Sequence, residues 1–260
     1  MAGRPEDPTG AVDADAALVR GEEPPSRREP LSRERIVASA VDYIDAHGLT
    51  SLTMRRLGQE LGVEAMALYR YVPGRENLLD AVAGSIVNEM EDDDEVLDHP
   101  HDGWQDFLQR LAHGVRRVAL RHPKVVPLVA SRPPEAPWLR PPLRSLDWVE
   151  TFLGGLVADG FSDRAAASAY RSFTGFLLGH LLLEVASLGA DLGPLDVIED
   201  AEEPSPRELS ADYTHVARLR RMLSEDHAAE EFEEALEELL NRIALMLQLD
   251  ASEGPEPAAP

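Results

Sequence analysis

The 260-residue chain contains no cysteine. That excludes a disulfide framework, thiolate zinc sites, iron–sulfur clusters and a cysteine nucleophile, and it fits a reducing compartment. Lysine is nearly absent as well, Lys124 being the only one. No apolar run is long enough for a membrane span. The longest, Phe173 to Leu188, is interrupted by His180 and Glu184. The N-terminal stretch MAGRPEDPTGAVDADAALVRGEEPP lacks an apolar h-region. No signal peptide and no membrane partner are therefore expected, and the expected location is the cytoplasm. Strand-like alternation and internal repeats are missing too. What remains is a chain long enough to bury a sizeable core, as one large domain or two small ones.

Positive charge is scarce overall, with 25 Lys and Arg against 48 Asp and Glu and a net charge of −23. Such a chain repels nucleic acid as a whole. The acidity is uneven, however. Between Ser26 and Met90 eight arginines nearly balance nine acidic residues, while the acids concentrate in Glu91–Asp98 and beyond Asp191. A nucleic-acid reader fits the spared segment, with the acidic remainder suppressing non-specific binding. Solubility alone accounts for the acidity equally well.

Residues 1–30 are rich in Pro, Glu and Ala without periodicity and read as a disordered arm. Ser32 can cap a first helix carrying Ile36, Val37, Ala40, Val41 and Ile44, with Gly48 as its left-handed cap. Ser51 or Thr53 caps a second helix with Leu57 and Leu61 facing the core, and Gly62 makes the next turn. A third helix is expected from Glu64 to Tyr71 and a fourth from about Arg75 to Met90. The acidic run after it reads as a hinge over 91–103.

Helical spacing continues through Trp104–Arg121 and the short Val125–Ala130. It resumes from about Leu143 to Ala158 and from Ser162 or Asp163 to about Leu188. Residues 189–209, rich in Gly, Pro and acids, read as a mobile loop. A short helix about Tyr213–Leu223 and a last helix from Asp226 to about Leu249 follow, and 251–260 reads as a disordered tail. The fold class is all-α, with nine or ten helices.

Leu52 to Val82 carries the functional signal. Two short helices joined by the Gly62 turn make a helix-turn-helix. In such a unit the second helix enters the major groove with its N-terminal side chains at base edges. Here those side chains are Ala65, Met66 and Ala67, small or adaptable enough to allow close approach and to meet a thymine methyl group. Tyr69 and Tyr71 can offer hydroxyls to phosphates, and Arg55 and Arg75 can hold the backbone on either side. A plain helical hairpin with surface tyrosines remains the alternative reading of the pattern.

The stretch Leu31–Met90 resembles the DNA-binding domain of the TetR family of bacterial repressors. The resemblance rests on the apolar ladder before Gly48, Leu52-Thr53 with Arg55 and Leu57, Leu61-Gly62-Val63, Leu68-Tyr69 with Tyr71-Val72, and Leu78-Leu79. It implies a recognition helix over Glu64–Tyr71. It further implies DNA contacts from Thr53, Arg55, Ala65, Met66, Ala67, Tyr69, Tyr71 and Arg75, the last standing where the family often has lysine. Arg121-His122-Pro123, Ser131-Arg132-Pro133, Gly160-Phe161-Ser162, the Phe173–Glu184 helix and Glu231–Leu236 resemble the family's tetracycline-repressor-like C-terminal domain.

That resemblance implies an N-terminal three-helix DNA-binding domain over 31–90 and a C-terminal helical ligand-binding and dimerisation domain over 104–250. The partners it implies are double-stranded operator DNA, a small-molecule inducer and a second copy of the chain. Dimer contacts are expected from Leu177, Leu181, Phe232, Leu236, Leu239 and Ile243. A pocket is expected among Phe107, Leu111, Trp138, Trp148, Phe152, Phe173 and Phe176, with His113 or His180 as polar anchors. In the tetracycline repressors a histidine just before the Ser131-Arg132-Pro133 segment helps to hold a metal-chelated drug. Leu128 stands there in this chain, so a largely apolar inducer and no metal or other cofactor are expected.

Two other classes stay open on the sequence. His99-Pro100-His101-Asp102 with His113 has the composition of a hydrolase metal site, though an exposed linker explains the run as well. There is no Gly-rich phosphate loop and no recognisable Ser/His/Asp arrangement, so an enzyme is not expected. A helical adaptor using its acidic face for protein contacts is the third reading.

Overall fold

Apolar residues at three- and four-residue spacing can bury a stripe only by helix-on-helix packing. The computed structural model describes residues 30–91, 102–131, 145–192 and 213–253, and no strand occurs among them. The helices are α1 (Arg33–His47), α2 (Met54–Leu61), α3 (Ala65–Leu68), α4 (Arg75–Glu91), α5 (Trp104–Arg121), α6 (Val126–Ser131), α7 (Leu146–Ala158), α8 (Asp163–Ser187), α9 (Thr214–Leu223) and α10 (Ala228–Glu253). A single 3-10 turn, Leu49–Ser51, links α1 to α2. Among the described residues no helix is long and apolar enough to cross a membrane.

Local chemistry sets the helix ends. The Thr53 hydroxyl caps α2 by accepting from the Arg56 backbone N–H at 3.2 Å. Ser51 instead donates to the Gly48 carbonyl at 2.8 Å and braces the turn. Gly62 ends α2 in the left-handed region, φ 69° and ψ 32°. Gly48 departs from the expected left-handed cap. Its φ of 82° is positive but its ψ is 156°, so the chain leaves α1 extended and enters the 3-10 turn. The expected third helix is also shorter than the pattern implied, closing at Leu68 with Tyr69–Tyr71 in the following turn. Val72 N–H still donates to Leu68 O at 2.9 Å.

Two cores result. In the first, α1 packs on α4 and α2, and Ile36, Ala40, Ile44, Leu57, Leu68, Leu78 and Val82 are fully buried. In the second, α8 packs on α7, α5 and α10 around Phe107, Phe152, Phe173 and Phe232. Helix α4 joins them, touching α1 on one side and α5 and α6 on the other. These elements all lie in the compact unit Arg33–Pro260. The expected arm up to residue 29, most of the acidic hinge including His99 and His101, the proline-rich stretch with Trp138, residues 193–212 and the tail from 254 lie outside the described residues.

Candidate nucleic-acid interface and ligand cavity

The helix-turn-helix is built on a close crossing. A Cβ on Gly58 would lie 2.9 Å from Val63 O and 3.2 Å from Ala65 N, so only glycine lets α2 approach the start of α3 this closely. Sequence reasoning passed over Gly58. The signal available was a glycine at the centre of a helix that otherwise has good helix formers.

This crossing holds α3 outward. Leu68 anchors it in the core, while Met66 is 74% exposed and Ala65 and Ala67 are half-exposed. Tyr69 and Tyr71 are each 42% exposed, and Thr53, Arg55, Arg56 and Arg70 also face solvent on this unit. Arg75 is placed differently from a free phosphate contact. Its Nε donates to Leu52 O at 3.2 Å and its Nη2 to Leu49 O at 3.4 Å, tying the start of α4 to the 3-10 turn.

A polar junction lies at the other end of α4. His122, in the turn after α5, has Nδ1 2.6 Å from Asp45 Oδ2 of α1 and Nε2 3.2 Å from Glu89 Oε2 of α4. Arg121 also pairs with Glu89, and Lys124 donates to Ala46 O at 3.3 Å. One short turn thus clamps the C-terminal ends of both helices.

Next to this junction is an apolar cavity of about 130 Å³, walled by residues of α4, α5, α6, α7 and α8 and by the α7 cap Ser145. Val87 and Met90 of α4 are part of the wall. Of the described residues expected at a pocket, Trp148 alone lines it. Phe107, Leu111, Phe152 and Phe173 are buried in the second core, where Phe152 meets Phe107, Trp148, Tyr170 and Phe173 ring against ring. His113, Phe176 and His180 surround Phe232 rather than the cavity. Arg116 lies over the same ring at 5.0 Å and forms a two-point pair with Glu184, at 3.0 Å and 2.5 Å. That pairing raises the Arg116 pKa.

The expected dimer residues lie mostly inside the protomer. Leu177, Leu181, Phe232, Leu236 and Ile243 are buried within the protomer, and Leu239 is partly buried against the same core. Leu177 and Leu181 line the cavity. The outward faces carry other residues: Gly175, Gly179 and Leu183 on α8, and Leu245 and Leu249 on α10.

Leu128 is buried in α6. Among the described residues no three His, Asp or Glu side chains are grouped so as to hold a metal ion.

Comparison with known proteins agrees with this architecture. A family model described as bacterial regulatory proteins of the tetR family matches residues 36–82, and one described as a tetracyclin repressor-like C-terminal domain matches residues 98–247. The HTH-type transcriptional repressor DrrR1 of Streptomyces coeruleorubidus is 33% identical over 157 residues, 60% of this chain and 55% of that protein. The match thus spans little more than half of that relative's length. Among solved structures, a possible TetR family transcriptional regulator from Streptomyces coelicolor is 32% identical with a TM-score of 0.63, covering 82% of this chain and 99% of that one. ActR of Streptomyces coelicolor, solved in complex with (S)-DNPA, is 26% identical with a TM-score of 0.58, covering 85% and 98%. The chain belongs to the TetR family, whose members are transcription regulators and not enzymes, and it combines that family's helix-turn-helix with a tetracyclin repressor-like C-terminal domain.

Proposed function

We propose that the chain is a cytoplasmic, ligand-released repressor. It binds a palindromic or near-palindromic operator in double-stranded DNA as a homodimer, with 31–90 as reader and 104–250 as ligand and dimer domain. The observation that carries this reading is the double attachment of α4. Its first turn is tied by Arg75 to the turn that enters the helix-turn-helix, and Val87 and Met90 near its end wall the cavity. A molecule in the cavity touches the helix that aims α3. Occupancy lowers DNA affinity only if the ligand binds the DNA-incompetent arrangement better. A tenfold loss needs about 1.4 kcal/mol of coupling, within the usual allosteric range. A relative named as a repressor and another solved with a small molecule bound support the reading.

Ala65, Met66 and Ala67 meet bases, while Thr53, Arg55, Tyr69 and Tyr71 hold phosphates; Arg75, engaged with Leu52 O and Leu49 O, sets the start of α4 instead. Release needs no divalent cation, because buried Leu128 offers no ligand atom.

The test begins with fluorescence anisotropy of the purified chain on DNA from its own upstream region, through a salt titration. Half-site centres on the order of one helical turn apart are expected. Selection on randomised duplexes should show a changed preference for Met66→Gln and a uniform weakening for Tyr71→Ala. Hydrophobic metabolites and antibiotics are then added with magnesium and with chelator. A monomer that retains no specific duplex at moderate salt sinks the proposal. Release strictly through magnesium sinks the Leu128 argument.

A further inference from the structure

We infer that the cavity takes a neutral molecule, or part of one, about the size of a single ring, whose polar group is a hydrogen-bond donor directed at Thr174. This rests on the reading above that the cavity is the ligand site.

Three observations lead there. The first is charge. Among the described residues no Asp, Glu, Lys, Arg or His side chain lines the cavity, and the side-chain hydroxyls there are those of Ser145 and Thr174. An ion entering such a wall loses its hydration without a partner, at a penalty of several kcal/mol. The described part of the wall therefore disfavours carboxylates, phosphates and ammonium groups.

The second is size. A volume of about 130 Å³ is close to that of an engineered apolar cavity of about 150 Å³ that holds benzene.

The third is the state of the two hydroxyls. Thr174 is buried, and its O–H donates to Tyr170 O at 2.6 Å. A hydroxyl has one hydrogen, so Thr174 Oγ1 can only accept from anything in the cavity. Ser145 Oγ accepts from the Trp148 backbone N–H at 3.2 Å as the cap of α7, which leaves its hydrogen free to donate. A phenol-type hydroxyl has the hydrogen that Thr174 can accept and the lone pairs that Ser145 can donate to, and an indole-type N–H suits Thr174. A ketone or ether satisfies Ser145 only.

The experiment is calorimetric titration of the full chain, without DNA, with benzene, phenol, indole and benzoate at neutral pH. Phenol and indole should bind about tenfold more tightly than benzene, and benzoate should not bind. Thr174→Val should erase the preference for phenol and indole while leaving benzene affinity within about twofold. Thr174→Ser should retain it.

Benzoate binding at the strength of phenol overturns the inference. So does a preference that survives Thr174→Val, or a failure of all three neutral rings to bind. If Thr174→Val does not fold, the four ligands on the unmodified chain and on Thr174→Ser decide between these outcomes. Operator release is measured separately. Rings that bind as expected but leave DNA affinity unchanged would uphold the cavity chemistry and refute the release mechanism.

Discussion

At Gly58 a missing side chain does structural work that no contact can show. Gly58→Ala would press a methyl group against Val63 O and Ala65 N, both backbone atoms that cannot swing away. The expected result is a loss of about 1–3 kcal/mol in stability, as for other overpacked sites. Operator affinity should fall at least tenfold because α3 is displaced. Urea unfolding and anisotropy measure the two. Gly175→Ala is the contrast, since nothing lies within 4 Å of its Cβ position, and its protomer stability should not fall. Tyr170 carries a second prediction. Burial pushes its phenol up to about 12, so the fold holds the neutral form. The associated stability is fully present below the ordinary tyrosine value near 10 and is lost as pH rises through about 12. Tyr170→Phe should remove the latest step in the tyrosinate absorbance titration and move alkaline unfolding to higher pH.

At the scale of elements, the turn after α5 ties the helix-turn-helix unit to the helices around the cavity. Both ring nitrogens of His122 face carboxylates, Asp45 on α1 and Glu89 on α4. Asp45→Asn and His122→Gln should each lower stability by about 1–2 kcal/mol, the range between exposed and buried ion pairs. The double variant should lose less than the sum, because the two substitutions remove one shared contact. Denaturant unfolding of the four proteins closes this cycle, and strict additivity would show that the pair is not coupled. The DNA-reading element was legible in the sequence because its determinants are local. Thr53, Gly62, Leu68 and Val72 lie within twenty residues and act on their immediate neighbours. The length of α3 was not legible, because whether Tyr69–Tyr71 continue a helix depends on how Leu68 and Val72 are drawn into the core.

At the scale of the whole molecule, the proposed homodimer calls for an apolar face that the protomer itself leaves uncovered. The outward stripe of α8 combines Gly175 and Gly179 with Leu183, which is 73% exposed, and α10 presents Leu245 and Leu249 at 55% each. Small residues permit close helix approach, and the leucines supply apolar area that water disfavours. Leu183→Glu should shift the protein to a monomer in sedimentation velocity and abolish tight operator binding, with the protomer's helicity unchanged. Val157→Glu, on the exposed side of α7, should do neither. A dimer that survives Leu183→Glu would move the interface elsewhere.

Helix periodicity marks the chain as all-α, and short-range signals identify its family and its helix-turn-helix. The period of 3.6 says which residues share a stripe but not what covers that stripe. Leu177 and Leu181 looked like dimer contacts and line a cavity, while Phe107, Phe152 and Phe173 looked like pocket walls and fill the core. Aromatic rings remove the most surface from water when enclosed on every side, so packing draws them inward. The cavity is left to Val87, Met90, Trp148, Thr174 and leucines that α4, α7 and α8 bring together. That convergence of helices distant in the chain is a property of the packed fold, because no local interaction along the sequence encodes the angles at which they cross.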